Sequence, residues 1–233
     1  MVLVNNKEAS ISKEICNFTT ESIILRDNTM RLHELLHQLP RYKREDISKI
    51  TFDNGICFFF EEGETYNGYD RVVRVGAHIV NNKLKQRLRD HYKPNQEGSV
   101  FRKSIGKAFL RYDQYKFEEM LDIELSRGKL PQGIKKYEKE KNIEQRITKY
   151  LNNKFSFVCV KIADKKMRLR FEEGIIALLH NTEDFKPSSQ WFGRYSPNEE
   201  IRNSGLWLRD GLKYMPLTAV EVQKLEILIW ESI

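Results

Sequence analysis

Arg87 and His91 stand four residues apart in the stretch LKQRLRDHY, and Glu172 comes much later, in RFEEGII. On a helix that spacing puts Arg87 and His91 on one side, one turn apart. A guanidinium grips a phosphate through a planar fork that lysine does not reproduce. An imidazole, with an ordinary pKa near ~6.5, can take a proton at neutral pH. A carboxylate can hold a hard divalent cation, which polarises a phosphate and eases departure of an oxygen. Side by side, these residue types could bind an anion, move a proton or hold a cation. Taken singly, each residue has a plainer reading: an exposed helix arginine, a histidine set against a helix C-terminus, a solvated acid.

The elements that would position these groups follow from pattern. NTMRLHELLHQLP reads as a helix capped by Asn28 or Thr29 and stopped by Pro40, with Leu32, Leu35, Leu36 and Leu39 as its apolar stripe. His33 and His37 in it share a spacing that suits a metal, but no further ligand accompanies them. ICFFFEE and RVVRVG read as two strands of an antiparallel hairpin turned at TYNGYD. A helix starting at Asn81 or Asn82 follows, carries Leu84 and Leu88 on one face, and ends at Pro94. Basic helical stretches broken at RGKLPQG lead to a third strand, FSFVCVKI, and then to the helix KKMRLRFEEGIIALLHN. A loop bearing Trp191 and Trp207, expected as anchors, precedes a final helix whose capping box is Thr218 with Glu221. The expected fold class is α+β: a small, three-stranded, mostly antiparallel sheet flanked by helices.

Composition narrows the partners. The chain has 233 residues, a formal charge of +7 and 40% hydrophobic content. Residues 98–154 carry 14 Lys and Arg against 8 Asp and Glu, so most of the net charge sits in one quarter of the chain. A solvated helical face is one reading of this cluster; nucleic acid is the sharper one, because clustered cations displace counterions from phosphates. Arg102, Lys103, Lys107, Arg111, Lys135 and Lys136 are the candidate contacts there, joined by Arg194 and Arg202 near the tryptophans. No apolar run approaches the roughly 20 residues that span a bilayer, and the first residues lack signal-peptide character. Cys16, Cys57 and Cys159 are widely spaced, which suggests neither a disulfide nor a zinc site and fits a cytoplasmic protein.

The order of the motifs resembles the GIY-YIG nuclease family. Gly55 and Ile56 match the first motif, with Cys57 at its tyrosine position; Val75 and Gly76 match the second, with Arg74 at its tyrosine position. The resemblance implies that Arg87 binds phosphate, that His91 is the histidine found one turn later in several members, and that Glu172 holds Mg²⁺ or Mn²⁺. The family's closing asparagine has two candidates here, Asn198 and Asn203. It further implies a core at 50–97 and 155–185, an N-terminal helical extension at 1–49, a basic insertion at 98–154 and a C-terminal segment at 186–233 packing on the core. The implied activity is metal-dependent DNA cleavage in restriction or phage defence. RNA stays open as a substrate, and a two-fold dimer is open if the target is palindromic. The competing reading, from the two replaced tyrosines, is a nucleic-acid-binding module that has lost catalysis. Tyr66, Tyr69 and Tyr92 are the candidates to replace the missing hydroxyls.

Overall fold

The computed structural model describes residues 5–94, 99–126 and 143–232, with side chains described over 20–94, 99–116 and 143–232. The break at RGKLPQG, Lys135 and Lys136 lie outside the described residues. Strand β1 (Gly55–Tyr66) turns through Asn67 and Gly68 into β2 (Tyr69–Ala77). Both turn residues have positive φ, 47° and 86°, and such a turn matches the twist of the strands it joins. Strand β3 (Phe155–Lys161) pairs antiparallel on the other side of β1, giving the order β2-β1-β3. The fold is α+β, a three-stranded antiparallel sheet with helices on both faces.

Helix α1 (Asn5–Leu36) begins well before the expected cap. Residues 5–28 contain neither proline nor glycine, so nothing stops the helix there. Thr29 lies inside it and is buried, its Oγ1 2.7 Å from that of Thr182. Helix α2 (Leu84–Tyr92) begins later than expected. Asn82 adopts φ 61°, and Asn81 accepts from Arg168 Nη2 at 2.7 Å, so these residues shape the preceding loop instead. Helices α3 (Val100–Ser126) and α4 (Ile143–Lys154) follow. Helix α5 (Lys165–Asn181) is capped by Asp164, which accepts the Met167 N–H at 2.7 Å. Helices α6 (Glu199–Ser204) and α7 (Ala219–Trp230) complete the chain, the latter with the expected Thr218–Glu221 capping box. Gly174 within α5 has a packing reason: a Cβ there would collide with the side chain of Leu217, whose N–H bonds the Gly174 carbonyl at 3.2 Å.

The alternation of β1 divides the core. Ile56, Phe58 and Phe60 join the leucines of α1, Phe171 and Ile175 of α5 and Leu225 of α7. Cys57 and Phe59 face the other way, onto Leu88 of α2, Phe101 of α3, Leu151 of α4 and the two tryptophans. A central strand covered on both faces reads as an unbroken apolar run, which is why GICFFF shows no period of two. Burying a large side chain such as Phe58 or Phe59 contributes about 1.5–3 kcal/mol each.

That register overturns the cysteine expectation. Cys57 and Cys159 are direct cross-strand partners with Cα atoms 4.2 Å apart, and they form a disulfide. Spacing in the sequence says nothing of a pairing that brings together residues separated by 102 positions. No helix among the described residues is long and apolar enough to cross a membrane.

Candidate active site

The site lies where edge strand β2 ends. Gly76 leaves open space there, since an added Cβ would meet nothing within 4 Å. Beside it is a pocket of about 100 Å³ whose walls include Cys57 and Phe59 of β1, Arg87 and His91 of α2, and Glu172 of α5. Arg74, Gly76, Ala77 and His78 form the β2 side. Arg87, His91 and Glu172, distant in sequence, are thus neighbours.

Glu172 and Arg74 have identifiable supports. The Ala77 N–H donates to Glu172 Oε1 at 2.7 Å, fastening the carboxylate to the strand end. Burial raises the Glu172 pKa above the usual carboxylate value; the Ala77 N–H, Arg74 and Arg87 work against that rise. Arg74 is buried across the ring of Phe101, with its guanidinium carbon 4.7 Å from the centroid. Its Nη1 donates to the Trp207 carbonyl at 2.5 Å, while its Nε has no partner among the described residues. Burial lowers the Arg74 pKa to about 10, which still leaves a cation at neutral pH.

The placement of Arg74 depends on a register shift. Phe59 pairs with Arg74 and Phe60 with Val72, leaving Val73 as an extra residue in β2. The Val73 carbonyl accepts the Trp207 N–H at 2.7 Å, and Glu61 accepts the indole N–H groups of Trp191 and Trp207 at 3.1 and 2.8 Å. The acids that close β1 therefore anchor the C-terminal loop whose carbonyl holds Arg74.

His91 corrects the expectation of an ordinary imidazole. It is buried, with Nδ1 2.8 Å from Ser99 Oγ and Phe59 and Phe101 edge-on to its ring. Burial, followed by the charges of Arg74, Arg87 and Arg102, pushes its pKa well below 6.5. It is neutral at physiological pH and a weak proton acceptor.

Other expected residues stand elsewhere. Arg102 is not a surface cation: it is buried, donating to Glu144 Oε2 at 2.6 Å, Thr148 Oγ1 at 2.9 Å and the His91 carbonyl at 3.2 Å. Arg111 and Arg202 both donate to the Ser196 carbonyl, and exposed Arg194 donates to the Ser189 carbonyl. Lys103 and Lys107 are exposed and, with Arg209, line a groove of about 470 Å³ between α3 and the segment entering α6. No carboxylate lines that groove among the described residues. Asn198 caps α6 and Asn203 bonds Glu199, so neither reaches the pocket. Tyr66 donates to Asp184, and neither it, Tyr69 nor Tyr92 lines the pocket. His33 and His37 are held by the backbone: their Nδ1 atoms lie 2.8 Å from the Thr29 and His33 carbonyls, and their Nε2 atoms accept from Val72 and Asp70.

Sequence reasoning missed His78 and Arg209. His78 follows the second motif by two residues, and no spacing rule singles it out. Arg209 becomes legible only once α3 and the C-terminal loop are packed together.

A three-stranded antiparallel sheet flanked by helices, with guanidinium, imidazole and carboxylate groups gathered at the end of its edge strand, defines an α+β domain with a charged pocket. The GIY-YIG domain model matches residues 25–216, and the chain belongs to that family. Members of the family are typically nucleases, acting on nucleic acid and generally using a divalent metal. Neither a curated protein nor a solved structure matches the chain.

Proposed function

We propose that the chain is a metal-dependent DNA endonuclease hydrolysing phosphodiester bonds. The observation that carries this reading is the shared pocket of Arg74, Arg87, His91 and Glu172. A phosphate entering it would meet two guanidiniums, one with an Nε–H that nothing else among the described residues accepts. A buried cation fixed before the reaction, as Arg74 is, stabilises added negative charge without reorganising. Neutral His91 could only donate a hydrogen bond to the phosphate, which has no hydrogen to give.

Glu172 fits a single-carboxylate magnesium site. Among the described residues no cluster of three or more His, Cys, Asp or Glu could hold a metal. Mg²⁺ is commonly held by one or two carboxylates plus substrate phosphate and water, and Mn²⁺ accepts similar ligands. When bound there, the ion would polarise the phosphate and ease the leaving oxygen. Lys103, Lys107 and Arg209 would carry flanking phosphates, with Arg111, Arg194 and Arg202 at the margins of that path. DNA in restriction or phage defence is the substrate we favour over RNA. The setting would be the cytoplasm, where thiol systems would reduce the Cys57–Cys159 bond. A palindromic target would call for a homodimer.

A second reading, a binding module without catalysis, is favoured by one observation: Cys57, at the first tyrosine position, is bonded to Cys159 and offers no hydroxyl. Purified chain is tested with supercoiled and linear DNA in Mg²⁺ and Mn²⁺, beside Glu172→Ala. Cutting that Glu172→Ala abolishes supports the enzyme; salt-sensitive binding without cutting supports the module and refutes the enzyme.

A further inference from the structure

We infer that His78 is the residue that takes the proton from the attacking water, a task the replaced tyrosines leave without a holder. This rests on the nuclease reading above. His78 lines the same pocket as Glu172, one residue beyond the Ala77 N–H that fastens that carboxylate. It is buried, and its Nδ1 has no partner among the described residues.

The surrounding bonds determine which nitrogen carries the hydrogen. Asn54 is oriented by Asn82: the Asn82 backbone N–H donates to Asn54 Oδ1 at 2.9 Å, and Asn54 Nδ2 donates to Asn82 Oδ1 at 2.7 Å. A backbone N–H can meet only the oxygen of that amide, so Oδ1 is the atom facing His78. His78 Nε2, 3.3 Å from it, must therefore be the protonated nitrogen. Nδ1 is left as a bare lone pair, buried at an active-site wall. An orphaned acceptor in such a place is costly unless something fills it.

The electrostatic setting agrees. Burial and the charge of Arg168 on α5 lower the His78 pKa, partly offset by a hydrogen bond that the ring donates to the Asp53 backbone carbonyl, so the imidazole is neutral at physiological pH. The other charged or titratable groups sharing its pocket are Arg74 on β2, Arg87 and His91 on α2 and Glu172 on α5. His91 has Nδ1 engaged by Ser99 and three guanidiniums against it, whereas His78 has an unengaged nitrogen and Arg168 alone among those charges lowering its pKa. In the step, one water O–H bond breaks and its proton passes to His78 Nδ1. The water oxygen forms the new P–O bond while the bond to the leaving oxygen breaks. That oxygen keeps the electron pair and is protonated from solvent; the imidazolium later returns its proton to solvent.

The test uses the full chain, plasmid DNA and Mg²⁺ or Mn²⁺. His78→Gln should lower the cleavage rate by about 10²–10⁴-fold with an unchanged thermal midpoint. Asn54→Asp would set a carboxylate against Nε2–H and favour the imidazolium. It should move the acidic limb of the pH–rate profile upward in the wild-type background, and not in His78→Gln. Long-range ¹H–¹⁵N spectra of the wild type at neutral pH should show His78 protonated at Nε2 alone. A full rate in His78→Gln, a limb that Asn54→Asp does not move, or a proton on Nδ1 overturns the assignment while the nuclease reading stands. A wild-type chain that cuts no DNA overturns both.

Discussion

The Ala77 backbone N–H donates to Glu172 Oε1 at 2.7 Å, joining the end of β2 to α5 and setting a carboxylate beside two arginines. The bond explains how residues nearly a hundred positions apart share a site. It also predicts the effect of removing the charge. Glutamine keeps an oxygen for the Ala77 N–H, so Glu172→Gln should fold. The Glu172 pKa is raised, meaning the native state disfavours the ionised form above its unfolded pKa. Neutralising the side chain should leave the thermal midpoint unchanged or higher while cleavage falls by about 10²–10³-fold or more. A wild-type cleavage rate in Glu172→Gln would remove the carboxylate from the mechanism.

Acid should destabilise the fold through His33. Burial lowers its pKa from 6.5 to about 4, and its Nε2 accepts the Val72 N–H, a bond that protonation would break. Below pH 6.5 the unfolded chain takes a proton that the native imidazole refuses, so stability falls as pH falls toward 4. The displacement corresponds to about 3 kcal/mol. Urea unfolding at pH 7 and pH 4.5 should register the loss, and His33→Asn should reduce it, leaving the shares that belong to His78, His91 and His180, whose pKa values are also lowered.

The cross-strand cystine can be counted directly. The chain has three cysteines, so thiol titration of unfolded, unreduced protein should find one, and three after dithiothreitol. Closing a loop of 102 residues restrains the unfolded chain, and reduction should cost about 2–4 kcal/mol of stability. Three thiols before reduction would mean that Cys57 and Cys159 face each other unbonded.

How much of this was readable in advance depended on range. Helix α5 and the Thr218–Glu221 box are local patterns, and their boundaries fell where pattern put them. Arg87 and Glu172 stand out in the sequence because their motif context is local too, and the fold brings them to one pocket. Arg102 was misread because a basic helix face looks the same whether it meets solvent or, as here, Glu144 and Thr148 of a packed neighbour. The early start of α1 was hidden by Asn28 and Thr29, which resemble a cap until Thr182 supplies a buried partner. His78 depends on Asn54 and Asn82 for its meaning, and that triangle exists only in the fold.

The groove of Lys103, Lys107 and Arg209 separates binding from packing. If those three side chains contact phosphates, replacing all three with alanine should weaken DNA binding uniformly across sequences. Each lost contact should also take ~0.9 from the slope of log affinity against log salt, about 3 in total. Fluorescence anisotropy across a salt series measures both. Arg102→Ala is the contrast: it strands Glu144 and the His91 carbonyl, so its cost should appear as about 3–5 kcal/mol of lost stability. Its salt slope should match the wild type wherever the variant remains folded. A triple variant with the wild-type slope would mean that the groove carries no nucleic acid, and that the duplex lies along another face.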